Sequence, residues 1–423
     1  MSDRKSALYA LIDITDHGAY ANLRMKQFDS RDDVREAKWI AALVYTTLDH
    51  LLTIDYYLAH YAQHAVKPII RGILRLGVCE LLYFDTPSHA IVSEYVTLTK
   101  RIGKAPLSGF VNAILRTVDR AREHLPSFPQ NPADRISVQY SYPAWLVSEW
   151  ITQYGETFAE QMCSSPAAPL EIRAQYPYST EALQQSIPVA SERGKLDENC
   201  LILQQGIDVA ALSAFQNGQM TVQGQSAMLV CRALGDCRTK NILDVCAAPG
   251  GKSAYIASLC KNDVQLTCFE LHEHRKELLD ITLARLHVSA QTICRDACIL
   301  DLAYENLFDV VFIDAPCSGL GLLHDKPDIR YAKTDSDIVS LSKIQQTLLD
   351  VNAHYVVPGG LLVYATCTIS MRENEENVHM FLSEHSDFTL EKMPILLKND
   401  GMFQLFPHIH GTDGFFIARM RRG

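Results

Sequence analysis

The sequence has little that would tie it to a membrane, a metal or an oxidising compartment. Its opening, "MSDRKSALYALIDITDHG", has no apolar core and no cleavage site, so no secretory leader is expected. No apolar run approaches the roughly 18 residues needed to span a bilayer. C-x-x-C pairs are missing altogether. Of the twelve cysteines the two nearest in sequence, Cys294 and Cys298, have no second pair beside them, which excludes the ordinary zinc spacings. The expectation is a soluble, cytoplasmic chain without metal, whose thiols stay reduced and mostly serve as small buried apolar side chains. Positive charge is also in deficit. A formal net charge of −10 argues against indiscriminate nucleic-acid binding. Locally the balance reverses: between Val66 and Arg122 nine Lys or Arg face four Asp or Glu, enough for one basic face. Internal repeats and low-complexity tracts are absent too.

What is present divides by pattern, and 423 residues suffice for two or three domains. The first 120 residues carry apolar positions at helical spacing, as in "REAKWIAALVYTTLDHLLTIDYYLAHYA" and "KPIIRGILRLGVCELLYF", and almost no strand signal. This predicts an all-helical bundle over residues 1–125. "EHLPSFPQNPAD", with three prolines, marks a break. Residues 126–228 read as a linker and a small α+β unit, from "SYPAWLVSEWITQYG" through "LEIRAQY" and "CLILQQG". From there strands and helices alternate, which predicts a doubly wound, mostly parallel α/β domain over 229–423. Its strands are "NILDVCA", "VQLTCFEL", "QTICRDA", "FDVVFIDAP" and "GGLLVYATCT", and a final hairpin is expected at the sheet edge.

In such sheets ligands lie beyond the carboxyl ends of the strands. "DVCAAPGGKS" follows the first strand and opens the first helix, so small residues and Gly250–Gly251 admit a close ligand at free N–H groups. It is neither G-x-G-x-x-G nor a P-loop. Glu270 ends the second strand, placed to hold a ribose hydroxyl; Asp296 ends the third and Asp314 the fourth. Three carboxylates would repel a triphosphate. They suit a cationic ligand carrying a ribose, an adenine and an amino group, a description that S-adenosylmethionine meets.

Cys317 follows "DAP" after the fourth strand, and Cys367 follows "YAT" in the fifth. Adjacent parallel strands would bring both thiols to one crevice. C5 of cytosine is a poor nucleophile, but thiolate addition at C6 makes it enamine-like and able to take a methyl group. One thiol to attack and one to assist release would explain both positions. A free thiol is only a few per cent ionised at neutral pH; Lys252 is the cation expected to help, and Asp314 would stabilise the ring protonated at N3.

"DVCAAPGGKS", "FIDAPCSGLG", "KPDIRY" and "YATCTISMRENEENV" closely resemble the motifs of the Sun-type RNA cytosine-C5 methyltransferases. "LRLGVCELLYFDTPSHAIVSEYVTLTKRIGKAPLSGFVNAILR" resembles a NusB-type helical RNA-binding domain. The combination is similar to bacterial enzymes that act on 16S rRNA. The resemblance implies a Rossmann-like domain whose loop Cys246, Ala247, Ala248, Pro249, Gly250, Gly251 and Lys252 contacts S-adenosylmethionine. It implies that Glu270 holds the ribose, where the family more often has Asp, that Asp296 lies near the adenine, and that Asp314 lies near the methyl donor and target base. It assigns the nucleophile to Cys367 and product release to Cys317. Arg71, Arg75, Lys100, Arg101 and Lys104 are candidates for phosphate contacts with 16S rRNA. The chain departs from the family at Gly224, usually acidic, and at Lys326, often His. A monomer is expected. Two other readings stay open: a non-catalytic RNA-binding ribosome assembly factor, and a methyltransferase of proteins or small molecules.

Overall fold

The structure, a computed structural model, describes residues 3–28, 34–62, 66–395 and 397–423; parts of the expected helical domain, at 29–33 and 63–65, lie outside the described residues. The chain forms two compact units: Met1–Ser165 with Leu323–Ala332, and Pro166–Leu322 with Lys333–Gly423.

The first unit is helical throughout its described residues, from Asp3–His17 to Glu156–Ser164. Its centre is the helix Pro68–Tyr83, mostly apolar and buried at every residue from Gly72 to Leu81. The two ionisable residues within that helix that lie in the core are both paired. Glu80 is fully buried and accepts Arg4 through Nε at 3.0 Å and a terminal nitrogen at 2.5 Å, and Tyr95 Oη at 3.0 Å. Arg75 donates to both oxygens of Asp55, at 2.8 and 2.6 Å. A charge taken from water is tolerable only with such partners. Glu80→Ala, which strips the acceptor from Arg4 and Tyr95, is expected to destabilise this unit by about 3–5 kcal/mol. All three tryptophans, Trp39, Trp145 and Trp150, belong to this unit, so urea unfolding followed by their fluorescence reads it selectively.

The same pairing corrects one expectation. Arg75 is buried against Asp55 and is not held out for phosphate, while Arg71, hydrogen-bonded to Asp16, keeps an exposed side chain. Lys100 and Arg101 are exposed and Lys104 half-exposed, in the turn that ends the helix Ser88–Thr99 at Gly103. A second finding concerns "KPDIRY". Its Arg330 is buried, paired with Asp49 at 3.2 Å and stacked 4.4 Å over the Tyr142 ring. Tyr331 Oη donates to the carbonyls of Leu48 and Ser141. This stretch is part of the helical unit's packing.

The second unit holds two sheets. Strands β1 (Glu171–Ala174), β2 (Ser191–Arg193), β3 (Cys200–Leu203) and β4 (Met220–Val222) form a small antiparallel sheet in the order β2-β3-β1-β4. The large sheet comprises β5 (Asn241–Asp244), β6 (Gln265–Glu270), β7 (Gln291–Cys294), β8 (Phe308–Asp314), β9 (Val356–Thr366), β10 (Phe388–Leu390), β11 (Met402–Leu405) and β12 (Phe415–Arg422). Its order is β10-β12-β9-β8-β5-β6-β7, with β11 also on β12. Strands β5 to β9 are parallel and β12 runs antiparallel to β9. Helices cover both faces, so central strands such as "FDVVFID" are apolar without alternation. The expected final hairpin exists as β11–β12, but β12 is not an edge: it lies between β9 on one side and β10 and β11 on the other.

Chain order reverses between β5 and β8. From β5 the sheet grows through β6 and β7 in one direction, and β8 and β9 lie in the other. The carboxyl ends of β5 and β8 therefore diverge into connections on opposite faces and leave a crevice between them.

Candidate functional site

The crevice takes its first wall from the loop after β5. Ala247 N–H bonds to the Phe269 carbonyl at 3.0 Å and Gly250 N–H closes a turn onto Ala247 at 2.8 Å, before the helix Gly251–Leu259. Gly250 sits at φ +102°, a conformation that favours glycine, and a Cβ there would also press on the end of the Leu279 side chain at 2.9 Å. Side chains from elsewhere brace this loop. Arg275 donates to the Ala248 carbonyl at 2.9 Å, and the buried Arg173 of β1 reaches the Gly251 carbonyl at 3.3 Å.

Asp244, at the end of β5, is buried and accepts Ser253 Oγ at 2.6 Å. Burial pushes its carboxyl up to about 7, against the Ser253 hydrogen bond, with Asp314 adding to the rise. A carboxyl raised on folding makes the folded state bind the extra proton. Stability then falls as pH rises from about 4, the ordinary carboxyl value, to about 7, by at most about 1.4 kcal/mol per pH unit. Asp244→Asn is expected to flatten that fall, as read by far-UV circular dichroism in urea at the two ends of the window.

Beyond the loop lie the strand ends. Glu270 is almost fully buried, accepts His272 N–H at 3.2 Å and lies 3.8 Å from Arg275. Asp296 accepts Cys298 N–H at 2.8 Å. Asp314 accepts Lys252 Nζ at 2.7 Å. Burial lowers the Lys252 ammonium's pKa, but Asp314 more than offsets it and holds the group above its ordinary value. One cavity of about 280 Å³ is lined by Cys246, Ala248, Glu270, Asp296 and Asp314, with apolar walls from Leu271, Ala297, Ile344 and Leu348. Of the residues predicted to contact a cofactor, Ala247, Pro249, Gly250, Gly251 and Lys252 do not line it; they form the turn and helix start behind it.

Cys317 and Cys367 also line this cavity. The β8–β9 register pairs Asp314 with Ala365, and Ala315 N–H bonds to the Ala365 carbonyl at 2.9 Å, so the two strands end level. The loop after Cys317 then folds back: Gly321 N–H reaches the Cys367 carbonyl at 3.0 Å. A Cβ on Gly321 would lie 1.9 Å from the Gly414 carbonyl oxygen, so only glycine permits this approach. The outcome is a pair of thiols, not joined as a disulfide, with Sγ atoms 3.2 Å apart. The hydrogen bond with Cys367, and burial next, push the Cys317 thiol well above its ordinary range.

The donor set fits S-adenosylmethionine. Glu270 offers a carboxylate for a ribose diol, the apolar side chains offer a slot for a base, and the remaining acids face a cationic end. Arg275 and Arg173, which brace the loop, carried no signal in the sequence: each is one basic residue in a mixed stretch.

A parallel sheet with its crevice at the switch point, acids at successive strand ends and a glycine turn at the first defines an α/β methyltransferase. Residues 233–421 match the family 16S rRNA methyltransferase RsmB/F, and residues 1–120 match the NusB family. The probable ribosomal RNA small subunit methyltransferase B of Bacillus subtilis (strain 168) is 37% identical, with 100% of this chain and 99% of that protein covered. The protein of the same description from Synechocystis sp. (strain ATCC 27184 / PCC 6803 / Kazusa) is 31% identical over the whole of both chains. The crystal structure of PH0851 superposes with a TM-score of 0.83 over 100% of this chain and 99% of that one; at 23% identity it shows the shared fold. The chain belongs to the 16S rRNA methyltransferase family RsmB/F, with a NusB-type helical region at its N-terminal end.

Proposed function

We propose that this methyltransferase acts on C5 of a cytosine in 16S rRNA, through a covalent bond between Cys367 and C6. The observation that carries the reading is the thiol pair, 3.2 Å apart in the same cavity as Glu270, Asp296 and Asp314. A methyltransferase of an already nucleophilic oxygen or nitrogen has no use for two thiols.

Bound S-adenosylmethionine supplies an electrophilic methyl group. The chain does the rest. The Cys367 thiolate attacks C6, the C5–C6 pair moves to C4–C5 and the C4–N3 pair onto N3, which takes a proton from solvent and donates it in a hydrogen bond to Asp314. C5 then takes the methyl carbon as its bond to the sulfonium sulfur breaks, that pair staying on the departing thioether. Loss of the C5 proton to solvent restores the C5–C6 double bond and expels Cys367 as the thiolate, and N3 gives back its proton; Cys317 assists this release. Lys252, paired with Asp314, provides the cation that favours thiolate in a half-buried site. The ring must be unpaired or flipped to enter, which costs a few kcal/mol from a duplex and less from a loop.

The division of labour follows from the chain's order: 1–125 engages RNA, 126–228 links and braces, and 229–423 carries the chemistry. Lys100, Arg101 and Lys104 supply phosphate contacts, and the protein acts in the cytoplasm as a monomer. Among the described residues no helix is long and apolar enough to cross a membrane.

The test is incubation with S-adenosylmethionine labelled in its methyl group and unmodified 16S rRNA, free and in small subunits, followed by nucleoside analysis. Label in 5-methylcytidine supports the reading. Label in any other nucleoside, or none from either substrate, contradicts it; the second result favours an assembly factor.

A further inference from the structure

Beside the thiol pair lies a buried carboxyl that the chemistry just described does not use. Glu373, just past β9, is fully buried and accepts four hydrogen bonds. One oxygen takes Ser318 N–H at 2.9 Å and Gln345 Nε2 at 3.0 Å. The other takes Ser318 Oγ at 2.5 Å and Thr368 Oγ1 at 3.3 Å. Ser318 directly follows Cys317 and Thr368 directly follows Cys367, and their hydroxyls lie 2.8 Å apart. A single carboxylate thus fastens the residue after each thiol. Two of its four partners are N–H groups that cannot accept, and Gln345 is held in that orientation by Asn377 Nδ2 on its carbonyl oxygen at 2.8 Å. All four of these contacts are donated to the carboxylate.

The charges around the pair are arranged unequally. Glu373 bonds at 2.9 and 2.5 Å to the N–H and hydroxyl of Ser318, directly after Cys317, and only at 3.3 Å to the hydroxyl of Thr368, after Cys367. The Lys252 ammonium interacts with Cys367. An anion stands behind one thiol and a cation beside the other.

We propose that Glu373 is a positioning residue: it clamps the two thiol-bearing loops in register and, by its charge behind Cys317, leaves the shared proton on Cys317 and the thiolate on Cys367. This rests on the assignment of Cys367 as nucleophile. It adds a physical reason why two neighbouring thiols take different roles.

Glu373→Gln is nearly isosteric, and its amide can donate to the Ser318 hydroxyl, so the clamp persists while the charge is lost. Full-length wild type and variant are pulse-alkylated with iodoacetamide from about pH 6.5 to about pH 9, and Cys317 and Cys367 are quantified separately by peptide mass spectrometry. Both thiols are half-buried, and the change in their ratio between wild type and variant, in which access cancels, is the quantity read. Wild-type Cys367 is expected to react at least about tenfold faster than Cys317 near neutral pH, the ratio given by one pH unit of difference in ionisation. Glu373→Gln is expected to narrow the ratio to within about threefold, with Cys317 labelling beginning at lower pH, whereas Glu373→Asp, which keeps the charge, retains the preference. A folded Gln variant with an unchanged ratio overturns the proposal. So does wild type in which Cys317 reacts as fast as Cys367, a result that needs no variant and stands if the Gln variant does not fold. Neither RNA nor methyl donor is present, so a failure of cytosine methylation would overturn the proposed function while leaving this ratio to be read by itself.

Discussion

Cys367→Ala is expected to abolish methyl transfer, by on the order of 10⁴-fold or more, while cofactor binding stays within about twofold of wild type. The size follows from the reaction. Without a bond at C6, C5 of cytosine remains an electron-poor aromatic carbon, and no amount of orientation toward a methyl donor replaces that bond. The lack of effect on cofactor binding follows from geometry, because the loop after β5 and the strand-end acids that shape the crevice owe nothing to the Cys367 side chain. Methyl transfer to 16S rRNA and calorimetric binding of S-adenosylhomocysteine measure the two halves separately. A variant that keeps a tenth of its activity would remove Cys367 from the chemistry.

Lys252→Met is the second large effect. The ammonium is the direct partner of Asp314 at 2.7 Å, and the pair is mostly shielded from water. Removing one member leaves the other charge uncompensated, a change of about 3–5 kcal/mol when such a pair is buried. It also removes the cation from beside Cys367. A loss in kcat of about 10²–10³-fold is expected, in the range seen when one electrostatic contact to a reacting centre is removed. The activity profile should move to higher pH, because the thiolate then forms only with less proton competition. Lys252→Arg should recover part of the loss, since the charge is kept and only its placement changes. An unshifted profile in Lys252→Met would mean that the lysine serves the loop's structure alone.

Much of the fold could be read from residue pattern because its elements obey simple periods. The strands β5, β6, β8 and β9 are largely apolar and buried, whereas the edge strand β7 is partly exposed, and residues proposed for the site stand at strand ends: Glu270, Asp314 and, one residue past β9, Cys367. The helical region was equally plain, as the stretch from Pro68 to Tyr83 has almost no polar face. What pattern did not reveal was pairing across long sequence separations. Arg75 looks like a surface cation until Asp55 is found beside it. "KPDIRY" lies nine residues past Cys317, yet its Arg330 and Tyr331 pack with residues near 48 and 141. Glu373 sits in "MRENEENV", a run that reads as the solvated start of a helix, and only the fold brings its carboxylate to Ser318 and Thr368. The small sheet β1–β4 was legible as α+β, but that Arg173 is turned inward, fully buried and bonded to the Gly251 carbonyl follows from tertiary packing alone.

The measurement that tests the central claim most directly is a denaturing gel of protein–RNA adducts. Wild type, Cys317→Ala, Cys367→Ala and the double variant are each incubated with S-adenosylmethionine and unmodified 16S rRNA. If Cys367 attacks and Cys317 assists release, Cys317→Ala accumulates a slow-migrating covalent complex that survives denaturation, and removing Cys367 as well abolishes it. A complex that accumulates in Cys367→Ala and disappears with Cys317 would contradict the account by exchanging the two roles.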